Sequence, residues 1–145
     1  MQAAEHNGVF WPRLGAGVLV FRNEHVLLIQ RSQPPYRDHW TPPGGKVEPG
    51  ETVLQAAQRE LLEECSIVAQ HYAFLDFHEF IDIKNISFPH HYVVLNYFAD
   101  YASGELRAGG DVADAGWFCC HELSRMAVTP ATREAVARAI RLRSA

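Results

Sequence analysis

Glu60, Glu63 and Glu64 crowd into a stretch whose residue pattern is helical. Taking Val53 as 0° and about 100° of rotation per residue, the three carboxylates fall near 340°, 280° and 20°, on one arc roughly 100° wide. Leu54, Ala57, Leu61 and Cys65 form a separate apolar stripe centred near 80°, so the acidic arc lies beside the buried face. Val53 and Ala56 are small neighbours that leave room for something to approach. Like charges four apart on a helix cost a few tenths of a kcal/mol, a conflict that a hard divalent cation removes. Mg²⁺ takes oxygen ligands in octahedral geometry and shares one or two carboxylates with substrate phosphates and water. The competing explanation is a solvated helical face, with Arg59 and Glu63 as an i,i+4 ion pair.

The flanking pattern says how such a helix is held. Leu14 to Arg22 and His25 to Arg31 are strand-like runs around the two-residue gap Asn23-Glu24, which reads as a β-hairpin. Pro34, Pro35, Pro42, Pro43, Gly44, Gly45, Pro49 and Gly50 make Ser32 to Gly50 too broken for a helix or a central strand, and a long loop is expected. Thr52 and Gln55 have capping-box spacing, opening a helix that ends near Cys65. Ile67 to Ile83 and His90 to Tyr101 are strand-rich and joined through Lys84 to Pro89, Ala115 to Cys120 is a short strand, and Thr129-Pro130 launches a last helix. This order predicts an α/β fold with a mixed sheet covered by helices. The chain of 145 residues fits one domain, residues 14–145, behind an N-terminal arm at 1–13.

The stretch Gly45-x5-Glu51-x7-Arg59-Glu60-Leu61-x-Glu63-Glu64-x-Ser66-Ile67 resembles the Nudix box, the signature of Nudix hydrolases. Six fixed polar or glycine positions match by chance on the order of 10⁻⁵ over a chain this long. One position departs: Ser66 stands where the family carries the glycine that ends the helix. Arg31, Pro34-Pro35, Trp40, Pro42 to Gly45, His91-Tyr92-Val93-Val94, Asp111 and Trp117 are similar to the ADP-ribose pyrophosphatase-like group of small Nudix proteins. The resemblance implies a Nudix-type α/β/α sandwich and a metal group of the Gly44 carbonyl, Glu60, Glu63 and Glu64. It also implies that Arg59 orients a glutamate and that Glu51 stands one step behind the metal. Mg²⁺ is the implied cofactor, with Mn²⁺ as a substitute. The implied activity is hydrolysis of the phosphoanhydride in a nucleoside diphosphate linked to another moiety, of ADP-ribose or nucleotide-sugar type. Glu64, Glu60 and Asp111, in that order, are the carboxylates expected to take the proton of the attacking water. Arg31, Trp40 and Tyr92 are expected to bind substrate, and Tyr36 and Phe88 are further stacking candidates.

Two alternatives stay open: a (deoxy)nucleoside triphosphate pyrophosphohydrolase with the same box, and a nucleotide sensor that binds without cleaving. Retention of all three crowded carboxylates favours an enzyme. A formal charge of −4 with no basic run argues against duplex nucleic acid as a partner. Apolar stretches are far short of a bilayer span, and three cysteines fit a reducing compartment, so a cytoplasmic protein acting on a small nucleotide is expected. A homodimer contact through Ile86 and Phe88 is left open. Gly44-Gly45-Lys46 lacks the hydroxyl residue of a phosphate-binding P-loop, and Val20 replaces the third glycine of a dinucleotide fingerprint. Cys119-Cys120-His121 offers zinc-type donors, but adjacent strand residues face opposite ways and no second ligand pair has suitable spacing, which counts against zinc.

Overall fold

A computed structural model describes residues 4–6, 9–84 and 90–145. Its strands are β1 (Ala4–His6), β2 (Val9–Trp11), β3 (Arg13–Arg22), β4 (His25–Gln30), β5 (Trp40–Thr41), β6 (Gly44–Lys46), β7 (Val68–Asp82), β8 (His90–Ser103) and β9 (Asp114–Cys119). Helix α1 (Val53–Cys65) lies between β6 and β7; a 3₁₀ helix (Cys120–Arg125) and helix α2 (Pro130–Arg143) follow β9.

Strand β3 organises the molecule because both of its faces are apolar, and successive side chains in a strand point to opposite sides. Ala16, Val18 and Val20 meet Ala57, Leu61 and Cys65 of α1, joined by Leu27 and Ile29 of β4. Leu19 and Phe21, with Val26 and Leu28 of β4, meet Ala135, Val136 and Ala139 of α2. One helix therefore covers each face, giving the expected α/β/α sandwich. The sheet is mixed, in the order β5-β4-β3-β8-β7, with β6 added to β3 and β9 to β4. β3 and β8 run parallel from Arg13↔Tyr92 to Phe21↔Asp100, while the other pairs in this sheet are antiparallel.

The local expectations for α1 hold. Thr52 Oγ1 accepts from the Gln55 amide at 3.0 Å, and Gln55 Oε1 accepts from the Thr52 amide at 2.9 Å, closing the capping box. The helix ends at Ser66, whose φ of 60° and ψ of 31° are left-handed and whose amide donates to Leu62 O. At α2, Thr129 caps the Thr132 amide with Pro130 in the first helical turn.

Two expectations need correction. The segment Ser32 to Gly50 is not all loop, because it contains β5 and β6. The prolines flank these strands instead of interrupting them, and glycines at 44 and 45 let the chain lie directly on β3: a Cβ on Gly44 would come 2.2 Å from Ala16 O. The expected N-terminal arm also contains a two-stranded antiparallel ladder, Ala4↔Trp11 to His6↔Val9. Phe88 and Ile86, named as stacking and dimer-contact residues, lie outside the described residues.

Ser66→Gly should raise stability by a few tenths to about 1 kcal/mol, since a side chain is costly in the left-handed region and glycine is not. Equilibrium denaturation checks this, and a fall in the midpoint would contradict it.

Candidate active site

The site forms where the acidic arc of α1 docks on the main chain of β6. β6 is fixed first, by pairing Gly44 with Gly17, Gly45 with Ala16 and Lys46 with Gly15 of β3. The Gly44 amide then donates to Glu64 Oε1 at 2.7 Å. Gly45 faces the Glu60 carboxylate so closely that a Cβ there would come 2.5 Å from its carboxyl carbon. Arg59 Nη2 donates to Lys46 O at 3.0 Å. One helical turn thus grips three consecutive backbone residues.

Arg59 is the hub of the acidic side. Its Nε and Nη2 form a fork on Glu51 at 2.7 and 3.0 Å, and Nη1 reaches Glu60 Oε1 at 2.9 Å and Glu63 Oε2 at 3.2 Å. The guanidinium beside Glu51 holds that carboxyl down to about 2, while Arg59 itself is held above its ordinary value by Glu51. Burial acts the other way on the cavity side. It raises Glu60 above the usual carboxylate range and pushes Glu64 up to about 8 against the opposing Gly44 amide, with the neighbouring glutamates adding to both shifts. A carboxyl pushed up by desolvation and like charge is stabilised as an anion by a cation. The donor set at Glu60, Glu63 and Glu64 is all oxygen, so it fits a hard divalent ion such as Mg²⁺. Glu64 sits on the cavity wall, whereas Glu60 and Glu63 are engaged by Arg59.

The cavity holds about 450 Å³. Gly44, Gly45, Glu64, Arg31, Tyr92 and Asp111 all line it. Arg31 is anchored by Nε donating to Pro35 O at 2.7 Å. Asp111 is delivered by the segment that wraps the C-terminal end of α1, where the Arg107 and Gly109 amides donate to Cys65 O and Glu64 O at 3.0 and 2.9 Å. Ser32 Oγ donates to Asp111 O on the other side. Tyr92 stacks on Phe80 with centroids 5.3 Å apart, and Tyr36 meets Phe80 edge-on at 6.1 Å. Trp40 does not join this wall. It packs edge-on against Phe118 at 4.8 Å in the core under α2, so the expected substrate contact is replaced by a packing role. Glu60, Glu63 and Arg59 lie behind the wall.

Phe80, His78 and Asn96 also line the cavity and escaped the sequence reading. Asn96 Nδ2 donates to Asp76 Oδ1 at 3.0 Å and lies 3.3 Å from His78 Nδ1. A carboxylate only accepts, so Asp76 fixes the amide orientation; His78 Nδ1 is then the acceptor and Nε2 carries the proton. Burial lowers the His78 pKa and keeps the ring neutral. The i,i+2 spacing of Asp76, His78 and Phe80 on one strand face was the available signal, but it needed Asn96 from β8 to gain meaning.

The family model for the NUDIX domain matches residues 11–139. A crystal structure of a MutT NUDIX hydrolase from Burkholderia pseudomallei is 35% identical, with a TM-score of 0.78, covering 88% of this chain and 97% of that one. An ADP-ribose pyrophosphatase of Methanocaldococcus jannaschii is 29% identical over 80% of this chain and 67% of its own length. The NAD-capped RNA hydrolase NudC of Chromobacterium violaceum is 32% identical over 76% of this chain. The chain spans about two thirds of the archaeal relative, at 67%, and well under half of NudC, at 40%. This chain belongs to the Nudix family.

The raised Glu64 carboxyl sets a pH dependence. Between 4.5 and about 8 the folded state holds a proton there that the unfolded chain has released, so stability falls as pH rises through that window. Without divalent ions, Tm should drop by at least about 3 °C from the lower to the upper end. Glu64→Gln should flatten the profile, and Mg²⁺ should restore stability at the alkaline end. Scanning calorimetry in chelator and in Mg²⁺ reads all three; a flat wild-type profile would contradict the assignment.

Proposed function

We propose that this protein is a Mg²⁺-dependent Nudix hydrolase that cuts the phosphoanhydride of a nucleoside diphosphate linked to another moiety, of ADP-ribose or nucleotide-sugar type. The observation that carries the reading is the 450 Å³ cavity, in which the half-buried Glu64 faces the same space as a triad of aromatic rings. The name of the archaeal relative supports the ADP-ribose class.

The residues divide the work by chemistry. Glu60, Glu63 and Glu64 would hold the divalent ion, with the Gly44 carbonyl as a further ligand. When bound, the ion polarises phosphate oxygens and lowers the pKa of the attacking water. Arg59 holds the side chains of Glu51, Glu60 and Glu63 in fixed orientation, which lowers the reorganisation needed as charge develops. Arg31 is the cation of the cavity wall and contacts the diphosphate. Phe80 and Tyr92, with Tyr36 at the rim, offer flat apolar surface to a base or sugar. Glu64 takes the proton of the attacking water, because it is the one of the three glutamates that lines the cavity. Asp111 faces the same cavity and is the second candidate for that step. The reading places the protein in the cytoplasm, where Cys65, Cys119 and Cys120 stay as free thiols. Among the described residues no helix is long and apolar enough to cross a membrane.

Two measurements test the reading. ADP-ribose or a related nucleoside diphosphate sugar should give a higher kcat/KM than any common nucleoside triphosphate at fixed Mg²⁺, with AMP and a sugar phosphate as products in the ADP-ribose case. A triphosphate ahead by tenfold, about 1.4 kcal/mol in transition-state stabilisation, would favour the pyrophosphohydrolase alternative. Tight binding without turnover of any nucleotide would favour the sensor. In the second measurement, Glu64→Gln should lower kcat by about 10²-fold or more with the fold retained by circular dichroism, because it removes charge at nearly constant volume.

A further inference from the structure

At the opposite end of β4 from the cavity, the β3–β4 turn, the end of β9 and the 3₁₀ helix bring Glu24, Cys119 and His121 together. One carboxylate oxygen, one sulfur and one imidazole nitrogen lie within 4.8 Å of one another. Among the described residues this is the one such trio of ligand-type atoms. The sequence argument against zinc assumed a strand running through Cys120, with neighbours facing opposite ways. The strand instead stops at Cys119, and the 3₁₀ helix carries His121 back to the side of Cys119. The third donor then comes from a turn nearly a hundred residues away in sequence, a pairing that ligand spacing along the chain does not reveal.

The backbone holds these three elements in place. The Cys120 amide donates to Glu24 O at 3.1 Å, tying the turn to the 3₁₀ helix. Cys119 pairs with His25 in the β4–β9 ladder, and its amide donates to Glu122 Oε1 at 3.2 Å. Glu24 and His121 are exposed and Cys119 is half-buried, so an ion has an open approach. Donor atoms bound tetrahedrally at about 2.0–2.3 Å from one ion lie about 3.5 Å apart, so closure asks for side-chain shifts of roughly 1 Å. Exposed Glu and His rotamers supply that movement.

We propose that Glu24, Cys119 and His121 form a second metal site, for a borderline-soft divalent cation of the Zn²⁺ type. A thiolate and an imidazole select such ions over Mg²⁺, which prefers oxygen ligands throughout. Three protein ligands leave the fourth tetrahedral position to water. Binding replaces the Cys119 S–H bond by a sulfur–metal bond and releases that proton to solvent. The ion then staples the turn to the end of β9, about 20 Å along β4 from the cavity. The two sites differ in hardness, so each is addressed by a different ion in the same solution.

The test titrates the full-length chain, held in saturating Mg²⁺, with Co²⁺ as a spectroscopic stand-in for Zn²⁺. Wild type and Cys120→Ser should each develop a thiolate-to-cobalt charge-transfer band that saturates at one equivalent and disappears on adding Zn²⁺. Cys119→Ser should lack the band, and His121→Ala should bind Co²⁺ at least tenfold more weakly. Zn²⁺ should raise Tm in wild type and not in Cys119→Ser. No band in wild type, or an equal band in Cys119→Ser, would overturn the proposal. Mg²⁺-dependent hydrolysis is read separately, so failure here leaves the catalytic reading untouched.

Discussion

Helix α1 is seated on the bare backbone of β6, where the Gly44 amide reaches Glu64 and Gly45 lies against Glu60. Gly44 and Gly45 have no side chains because the space is taken on two sides: β3 main chain lies against one residue and the Glu60 carboxylate against the next. That contact fixes the height of α1 over the sheet and its rotation about its own axis. With those two quantities set, Leu61 and Cys65 enter the core, Glu64 turns to the cavity and Glu51 comes within reach of Arg59. The apolar stripe alone could not choose this rotation, since hydrophobic attraction is non-directional. The hydrogen bonds from Gly44 to Glu64 and from Arg59 to Lys46 O supply the direction.

Charge is distributed unevenly around that contact. On the outer side, one guanidinium serves three carboxylates, and Glu51 is a stable anion in consequence. On the inner side, Glu64 is half-buried with a single amide as its hydrogen-bond donor among the described residues, and its anionic form is disfavoured. The helix thus presents a satisfied face and an unsatisfied face within one turn. Positive charge arriving in the cavity finds its strongest attraction at the unsatisfied one. Across the cavity the polar equipment is of another kind, a neutral imidazole whose proton position is set by Asp76 through Asn96.

Much of this was legible in the sequence because it is local. Thr52 with Gln55, Ser66 at the helix end, Thr129 before Pro130 and the Asn23-Glu24 turn each encode their geometry within a few residues. The acidic arc was legible because helical rotation is regular. What stayed hidden depends on partners distant in sequence. β5 and β6 exist because β4 and β3 pair with them, and the proline and glycine content of the segment masked both strands. Trp40 looked like a binding residue in a functional loop. Its backbone is instead held by Ala127 and Thr129, whose contacts commit the ring to the core beside Phe118. The Asp76, Asn96 and His78 relay crosses two strands, and no single stretch of chain contains it.

The parallel register of β3 and β8 has a bearing on how the chain is made. Val18, Leu19 and Val20 are fully buried, and their ladder partners are Tyr97, Phe98 and Ala99, roughly 80 residues downstream. On the ribosome, the first strand of the sheet waits, uncovered on one edge, until most of the polypeptide has emerged. Its closure is a late, long-range event of the kind that slows folding and exposes sticky surface to neighbours. The glycines of β6 pair with the other edge of β3, the one that β4 also takes, and can settle there sooner, since only about 30 residues separate them from it. The segment that later frames catalysis thereby closes one side of the nascent strand while the partner for its other side is still being synthesised.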